Sequence, residues 1–169
     1  IEYTFFDHVD YLEGFIERLR LQHITLVIHD WGSALGFHYA MRHEESIRGL
    51  AFIEAIMMPI SWESMPDEYV EIFRAFRTPE VGWDMIVNKN MFIEQILPQA
   101  MIRKLTEKEM NYYREPFKDP KSRKPIWRWP NELPIYGEPA NVHLAVDTYN
   151  KLLLESELPK LLFHATPGA

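Results

Sequence analysis

Two carboxylate residues follow or close two apolar runs that predict neighbouring strands of a parallel sheet. Asp30 stands two positions after the run 24–28, and Glu54 closes the run 48–54. Open α/β sheets bind ligands beyond the carboxyl ends of their strands. Adjacent strands lie about 4.8 Å apart, so one imidazole could reach both carboxyl groups. These residue types at this edge indicate acid–base or covalent catalysis.

Asp30 has the sequence surroundings of a nucleophile on a sharp turn between a strand and a helix. Gly32 and Ser33 follow it, at the point where the helix backbone comes close. An attacking carboxylate forms a covalent ester and divides one hard displacement into two easier steps. The alternative interpretation is an N-cap of the following helix, which Asp performs well. Together with Trp31 and Glu54, the pattern favours the nucleophile.

Trp31 and Glu54 each have a chemical and a structural interpretation. The indole N–H of Trp31 is a donor without acceptor capacity, so it could stabilise a departing anion. Packing as a partly buried aromatic residue is the alternative for Trp31. Glu54 ends an apolar strand and needs a cationic or hydrogen-bonding partner, for which His is the usual residue. A surface charge or a helix cap is the alternative for Glu54.

The elements that must position these residues predict an α/β fold with a parallel sheet and flanking helices. Strands are predicted at 24–28, 48–54 and 160–163, the first of them buried on both faces. Apolar spacing predicts helices at 5–20, 33–42 and 140–154, and a turn at 29–32. A strand, a helix and a second parallel strand form a βαβ unit.

The middle of the chain has a different composition, rich in Pro, Met and aromatic residues. Helices are predicted there at 68–76, 83–96 and 106–113, with Pro residues between them and no strand pattern. We therefore expect a core at 1–56, an inserted helical cap at 57–135, and a return to the core at 136–169.

The run 27–38, VIHDWGSALGFH, resembles the elbow of the haloalkane dehalogenases. These enzymes form a branch of the α/β-hydrolase superfamily that includes the Renilla-type luciferases. Further matching segments are residues 73–76, 113–117, 129–135, 137–141 and 159–163. The resemblance covers essentially the whole chain. It implies an α/β-hydrolase core with about three strands in this chain and an inserted helical cap.

The resemblance also implies residue roles. Asp30 matches the nucleophile, Trp31 one of two halide donors, and Glu54 the acid that orients a base histidine. Residues matching the apolar substrate lining are Phe73, Phe76, Phe92, Pro130, Leu133, Pro134 and, at the tunnel edge, Ala169. The implied partners are a halogenated alkane, a halide ion and water, with no cofactor and no metal. Departures from the family pattern at Met65, Ile96 and Ala100 leave substrate size open.

The resemblance requires two further residues, a base histidine and a second halide-binding asparagine, at positions that match none of the 169 residues. His164 could replace the base because it ends the third predicted strand, but its neighbours match a non-catalytic stretch. The expectation is therefore that the sequence is an internal portion of a longer protein. Without a base, Asp30 would be alkylated and its ester would persist.

Composition excludes several classes of partner. The chain carries 18 Lys and Arg against 25 Asp and Glu, a net charge of −7, which argues against nucleic acid and anionic membranes. Cysteine is absent, and no targeting signal is recognisable, which favours a cytoplasmic location; the oligomeric state stays open. Alternatives are an epoxide hydrolase, a coelenterazine-type luciferase or a non-catalytic fragment. The position of Glu54 argues against the epoxide hydrolase, which usually carries its acid after a later strand.

Overall fold

A computed structural model describes residues 1–166, apart from the side chain of Glu68. Residues 5–61 with 133–166 form one compact unit and Ile1–Thr4 with Trp62–Glu132 form another. The first unit contains, in chain order, α1 (Phe5–Leu19), β1 (Ile24–His29), α2 (Asp30–Arg42) and β2 (Ile47–Ala55), and closes with the long α8 (Ala140–Glu155) and β3 (Lys160–Phe163).

The three strands form one parallel sheet in the order β1-β2-β3. His29 pairs with Ile53 across the first two strands, and Ile53 pairs with Phe163 across the next two. The predicted parallel sheet and the βαβ unit are therefore confirmed. Because all three strands run the same way, their carboxyl ends meet at one edge of the sheet.

Helix α2 contacts both β1 and β2, and α1 and α8 pack against α2. Phe37 at the centre of α2 is fully buried, with its ring 5.2 Å from that of Phe52 and 5.7 Å from that of Tyr149. Close approach of helix and strand needs a glycine at position 36, where a Cβ would lie 2.9 Å from Ile28 Cγ2. Apolar packing thus fixes the helix that begins at Asp30 against the strand before it.

Two local predictions for this unit are wrong. β1 is not buried on both faces, since alternate side chains are exposed and Val27 is 79% exposed. The reason is that α2 contacts one face of β1, while the described residues leave the side chains of the other face in solvent. The predicted turn at 29–32 is absent as well, because α2 follows β1 directly at Asp30.

The second compact unit is helical. It contains α3 (Asp67–Arg77), α4 (Pro79–Trp83), α5 (Leu97–Gln99), α6 (Glu107–Arg114) and α7 (Lys124–Glu132). The single helix predicted at 83–96 is wrong, because π-helical segments occupy Asp84–Asn88 and Phe92–Ile96. Asn90 separates them with a left-handed φ of 53°. No apolar spacing in the sequence distinguishes a π turn from an α turn.

A buried arginine stabilises this interruption. Arg123 donates from Nη1 to the carbonyl of Val87 at 2.8 Å and from Nε to that of Phe117 at 2.7 Å. The same guanidinium reaches the carbonyl of Lys118 at 3.0 Å. Backbone carbonyls at the end of a π turn have no partner within the turn, so these bonds satisfy them and tie two segments together.

Candidate active site

Asp30 lies where β1 passes directly into α2. Its φ is 47°, in the left-handed region, and its backbone forms a parallel bridge with Ala55 of β2. The residue before it, His29, has an extended backbone and occupies the N-cap position without a side-chain capping bond. The N-cap interpretation of Asp30 is therefore wrong. The Asp30 residue is exposed at the helix N-terminus, where the positive end of the helix dipole stabilises a carboxylate.

Glu54 repeats this geometry on the neighbouring strand. Its φ is 45°, and it stands one residue before Ala55, the bridge partner of Asp30. A left-handed non-glycine residue costs about 1–3 kcal/mol and is often found at functional sites. The sequence pattern indicated two carboxylate residues side by side at the carboxyl edge of a parallel sheet, and Asp30 and Glu54 lie there.

Trp31 begins the buried side of α2. It is 9% exposed, and its ring lies 6.1 Å from that of Phe5 on α1. Aromatic packing within this unit is thus part of its role, while the halide-donor role stays a prediction. The order Asp30, Trp31 places a carboxylate in solvent and an indole in the core at consecutive positions of the first helical turn.

Three of the predicted substrate-lining residues form an aromatic cluster in the helical unit. The rings of Phe73 and Phe76 lie 6.3 Å apart, and those of Phe76 and Phe92 lie 6.5 Å apart. Pro130 is buried in the same unit, inside α7, and its carbonyl accepts a bond from Arg77 Nη1 at 2.8 Å. The structure therefore brings the three phenylalanines together and places Pro130 on α7, which contacts α3. Contact of these residues with substrate stays a prediction.

The remaining predicted lining residues lie elsewhere. Leu133 and Pro134 are buried in the unit that contains the sheet, where the carbonyl of Pro134 accepts from the N–H of Ile60 at 3.0 Å. Ala169 lies outside the described residues. His164 is the residue that follows β3, one position after Phe163, the register partner of Ile53.

Two residues that support this edge were not predicted as functional. Ser33, on the first turn of α2, is fully buried, and its Oγ accepts from the N–H of Ile56 at 2.9 Å. Tyr149 of α8 donates its hydroxyl to the carbonyl of Ile56. A tyrosine among apolar helix positions is a usable signal, since a buried phenol needs a hydrogen-bond partner. Burial raises the pKa of Tyr149, so the phenol stays protonated and remains a donor.

Metal sites and membrane-spanning helices are both absent from the described residues. Within 1–166, no cluster of three or more His, Asp or Glu side chains could hold a metal ion. None of the helices in that range combines the length and the apolar character needed to cross a membrane.

Comparison with known proteins agrees with this geometry. A haloalkane dehalogenase of Sphingobium indicum is 44% identical over 169 residues, which cover 99% of this chain and 57% of that protein. One from Bradyrhizobium diazoefficiens is 44% identical over all of this chain and 58% of its own length. The crystal structure of haloalkane dehalogenase DbeA from Bradyrhizobium elkani superposes with a TM-score of 0.94 at 46% identity, covering 99% of this chain and 58% of that one.

The chain thus spans about 57% of the length of these curated relatives. The model of the family described as alpha/beta hydrolase fold matches residues 1–165, nearly the whole sequence. With its parallel sheet, its carboxylate at the junction of β1 and α2 and this match, the chain belongs to the α/β-hydrolase fold family.

Proposed function

We propose that the protein carrying this chain is a haloalkane dehalogenase, a hydrolase that converts an alkyl halide and water into an alcohol, a halide ion and a proton. The observation that carries the proposal is the left-handed Asp30 at the carboxyl end of β1, next to Glu54 on β2. The names of the relatives and of the superposed crystal structure support the same activity.

In the proposed first step, an Asp30 carboxylate oxygen attacks the carbon that bears the halogen. A carbon–oxygen bond forms, the carbon–halogen bond breaks, and the halide leaves with the bonding electron pair. The indole N–H of Trp31 donates to the departing halide and stabilises the charge that develops on it. The nucleophile of this step is the carboxylate form of the Asp30 side chain, at the start of α2.

In the second step, water attacks the ester carbonyl of Asp30, and the alcohol leaves with one of the original carboxylate oxygens. A histidine base accepts the proton from water. Glu54 orients that histidine and stabilises its cation, the role that the family resemblance gives it. Glu54 is exposed at the sheet edge. It stands two residues before Ile56, whose backbone is hydrogen-bonded to Ser33 and Tyr149.

We further propose that residues 57–135 act as a cap and that its aromatic cluster contacts the alkyl chain of the substrate. Phe73, Phe76 and Phe92 supply apolar surface for this contact, as do Pro130, Leu133 and Pro134. Apolar walls suit a neutral alkyl halide and strengthen the donors around the leaving halide. Halide and water are the other partners, and neither proposed step requires a cofactor or a metal.

The direct test is halide release from a short bromoalkane by the whole protein, with Asp30→Asn as the inactive variant. Removing the nucleophile should lower the rate about 1,000-fold or more. Asp10→Asn, an exposed change on α1, is the matched control and should keep full activity. Halide release by Asp30→Asn at the rate of the unaltered protein would contradict the proposal. Epoxide opening or coelenterazine luminescence without halide release would favour another activity of this fold.

A further inference from the structure

One buried hydroxyl group joins the peptide of Asp30 to the segment that follows Glu54. Ser33 Oγ donates its proton to the carbonyl oxygen of Asp30 and accepts from the N–H of Ile56 at 2.9 Å. A serine often bonds to the carbonyl three residues before it, but a second bond to a residue 23 positions away is not a local feature. Ser33 therefore links α2 to the chain two residues beyond Glu54.

The backbone of the same residue, Ile56, is held from its other side by α8. Its carbonyl accepts the hydroxyl of Tyr149, and the next carbonyl, of Met57, accepts from Asn150 Nδ2 at 2.9 Å. Tyr149 is 1% exposed and packs against Phe37, so its ring position is fixed by the core. Ile56 thus has its N–H bonded to α2 and its carbonyl bonded to α8.

These bonds lie close along the chain to two left-handed residues. Asp30 and Glu54 have φ values of 47° and 45°. Such a conformation persists only when the surrounding structure holds it. A catalytic carboxylate must also keep its geometry within a fraction of an ångström, because small displacements slow a reaction strongly.

We propose that Ser33 and Tyr149 are positioning residues for Asp30 and Glu54. Their hydroxyl groups, joined through the backbone of Ile56, keep Asp30 and the end of β2 in fixed relation. The inference rests on the proposed function, because it concerns the rate of ester formation at Asp30. Neither hydroxyl contacts the substrate in this role.

The test compares Ser33→Ala, Tyr149→Phe and the double variant in the whole protein. Each single change should lower kcat for a short bromoalkane about 10-fold, with KM within about twofold of its original value. Because both hydroxyl groups act through the backbone of one residue, Ile56, the double variant should lose little more than the more affected single variant. Partial unfolding alone also lowers the apparent kcat at unchanged KM, so kcat is calculated per folded molecule, with the folded fraction measured by circular dichroism.

Two further variants separate positioning from stability. Val142→Ala removes buried apolar volume from the same helix as Tyr149 without touching the network. If Val142→Ala lowers the unfolding free energy as much as Ser33→Ala and Tyr149→Phe do, its kcat should still stay within about twofold of the original value. Ser33→Thr retains a hydroxyl and should recover most of the kcat lost in Ser33→Ala.

Three results would overturn the inference. The first is an unchanged kcat in Ser33→Ala and Tyr149→Phe, and the second is a loss of kcat in Val142→Ala as large as theirs. The third is a double variant whose fold-loss of kcat equals the product of the two single fold-losses. If Ser33→Thr fails to fold, Tyr149→Phe decides alone, since it keeps the ring. An unaltered protein that releases no halide would contradict the proposed function, whereas normal release with unimpaired variants contradicts only the positioning role.

Discussion

At the scale of single residues, the site depends on two carboxylates in an unusual backbone conformation. Asp30 and Glu54 both have a positive φ and stand on adjacent strands. Aspartate accepts this conformation more readily than glutamate, because its short side chain can bond locally. The strain at Glu54 is therefore the stronger indication that its position is functional.

We expect Glu54→Gln to separate the two chemical steps. Attack by Asp30 does not require Glu54, so the first turnover should release halide at nearly the original rate. Ester hydrolysis needs the carboxylate that stabilises the histidine cation, so steady-state release should fall about 100-fold or more. Rapid-mixing measurement of halide should then show a burst followed by a slow phase. Loss of the burst would contradict the role given to Glu54.

At the scale of elements, close packing of α2 on β1 holds Asp30 in place. A Cβ at position 36 would approach Ile28 Cγ2 to 2.9 Å and Cδ1 to 3.1 Å. Ile28 is β-branched and lies in the strand that leads to Asp30, so it has little freedom to move. The helix must therefore carry a glycine there to approach the strand this closely.

Two glycine substitutions give opposite expected results. Gly36→Ala should lower the unfolding free energy by about 1–3 kcal/mol through overpacking. Gly14 lies at an exposed position of α1, where a Cβ would meet nothing within 4 Å. Gly14→Ala should therefore raise the unfolding free energy by about 0.5–1 kcal/mol. Urea unfolding of both variants checks the pair. Equal effects in the two variants would contradict the packing argument.

The start of α6 makes a pH-dependent contribution to stability. Thr106 and Glu109 form a capping box, and Arg103 Nη2 bonds Glu109 Oε1 at 2.7 Å. The Arg103 bond is the largest cause that lowers the pKa of Glu109 to about 2 from 4.5. A lowered folded-state pKa means that this stabilisation is complete above pH 4.5 and is lost as pH falls toward about 2.

We expect Glu109→Gln to be less stable than the unaltered protein at neutral pH. This difference in urea midpoint should shrink as the pH falls from 4.5 toward 2. Glu155→Gln at the exposed end of α8 is the matched control and should show no such trend. A difference for Glu109→Gln that stays constant over this pH range would contradict the assignment.

Much of the fold follows from short-range pattern. The third strand was predicted with the observed bounds, and α1 and α8 were predicted with the correct first residue and a last residue one position away. These elements could be found because apolar periodicity reports burial directly. Burial of both faces of β1 was predicted wrongly, because a continuous apolar run does not say which elements cover it. The π segments around Asn90 were missed, since they depend on carbonyl bonds to distant Arg123.

The candidate site divides in the same way. Asp30, Trp31 and Glu54 could be found because strand ends and residue types are visible in the sequence. Ser33 and Tyr149 could not be assigned a joint role, because Ile56, whose backbone joins them, is 23 residues from one and 93 from the other. Only the folded chain brings those groups within hydrogen-bond distance.

At the scale of the whole molecule, charge suits the proposed reactants. A net charge of −7 exerts no long-range steering on a neutral alkyl halide, while it disfavours retention of the halide product. The chain spans about 57% of its curated relatives, so turnover is a property to be measured on the whole protein. The proposed covalent attack, in contrast, involves Asp30, a residue that lies within this chain.

The measurement that tests this claim most directly is isotope transfer during turnover. The whole protein would convert a short bromoalkane in water enriched in heavy oxygen, and the peptide containing Asp30 would then be weighed by mass spectrometry. We expect heavy oxygen in the Asp30 carboxylate, because water attacks the ester carbonyl and the alcohol leaves with an original carboxylate oxygen. Protein without substrate should gain none. Heavy oxygen in the alcohol from the first turnover, with none in Asp30, would contradict the account.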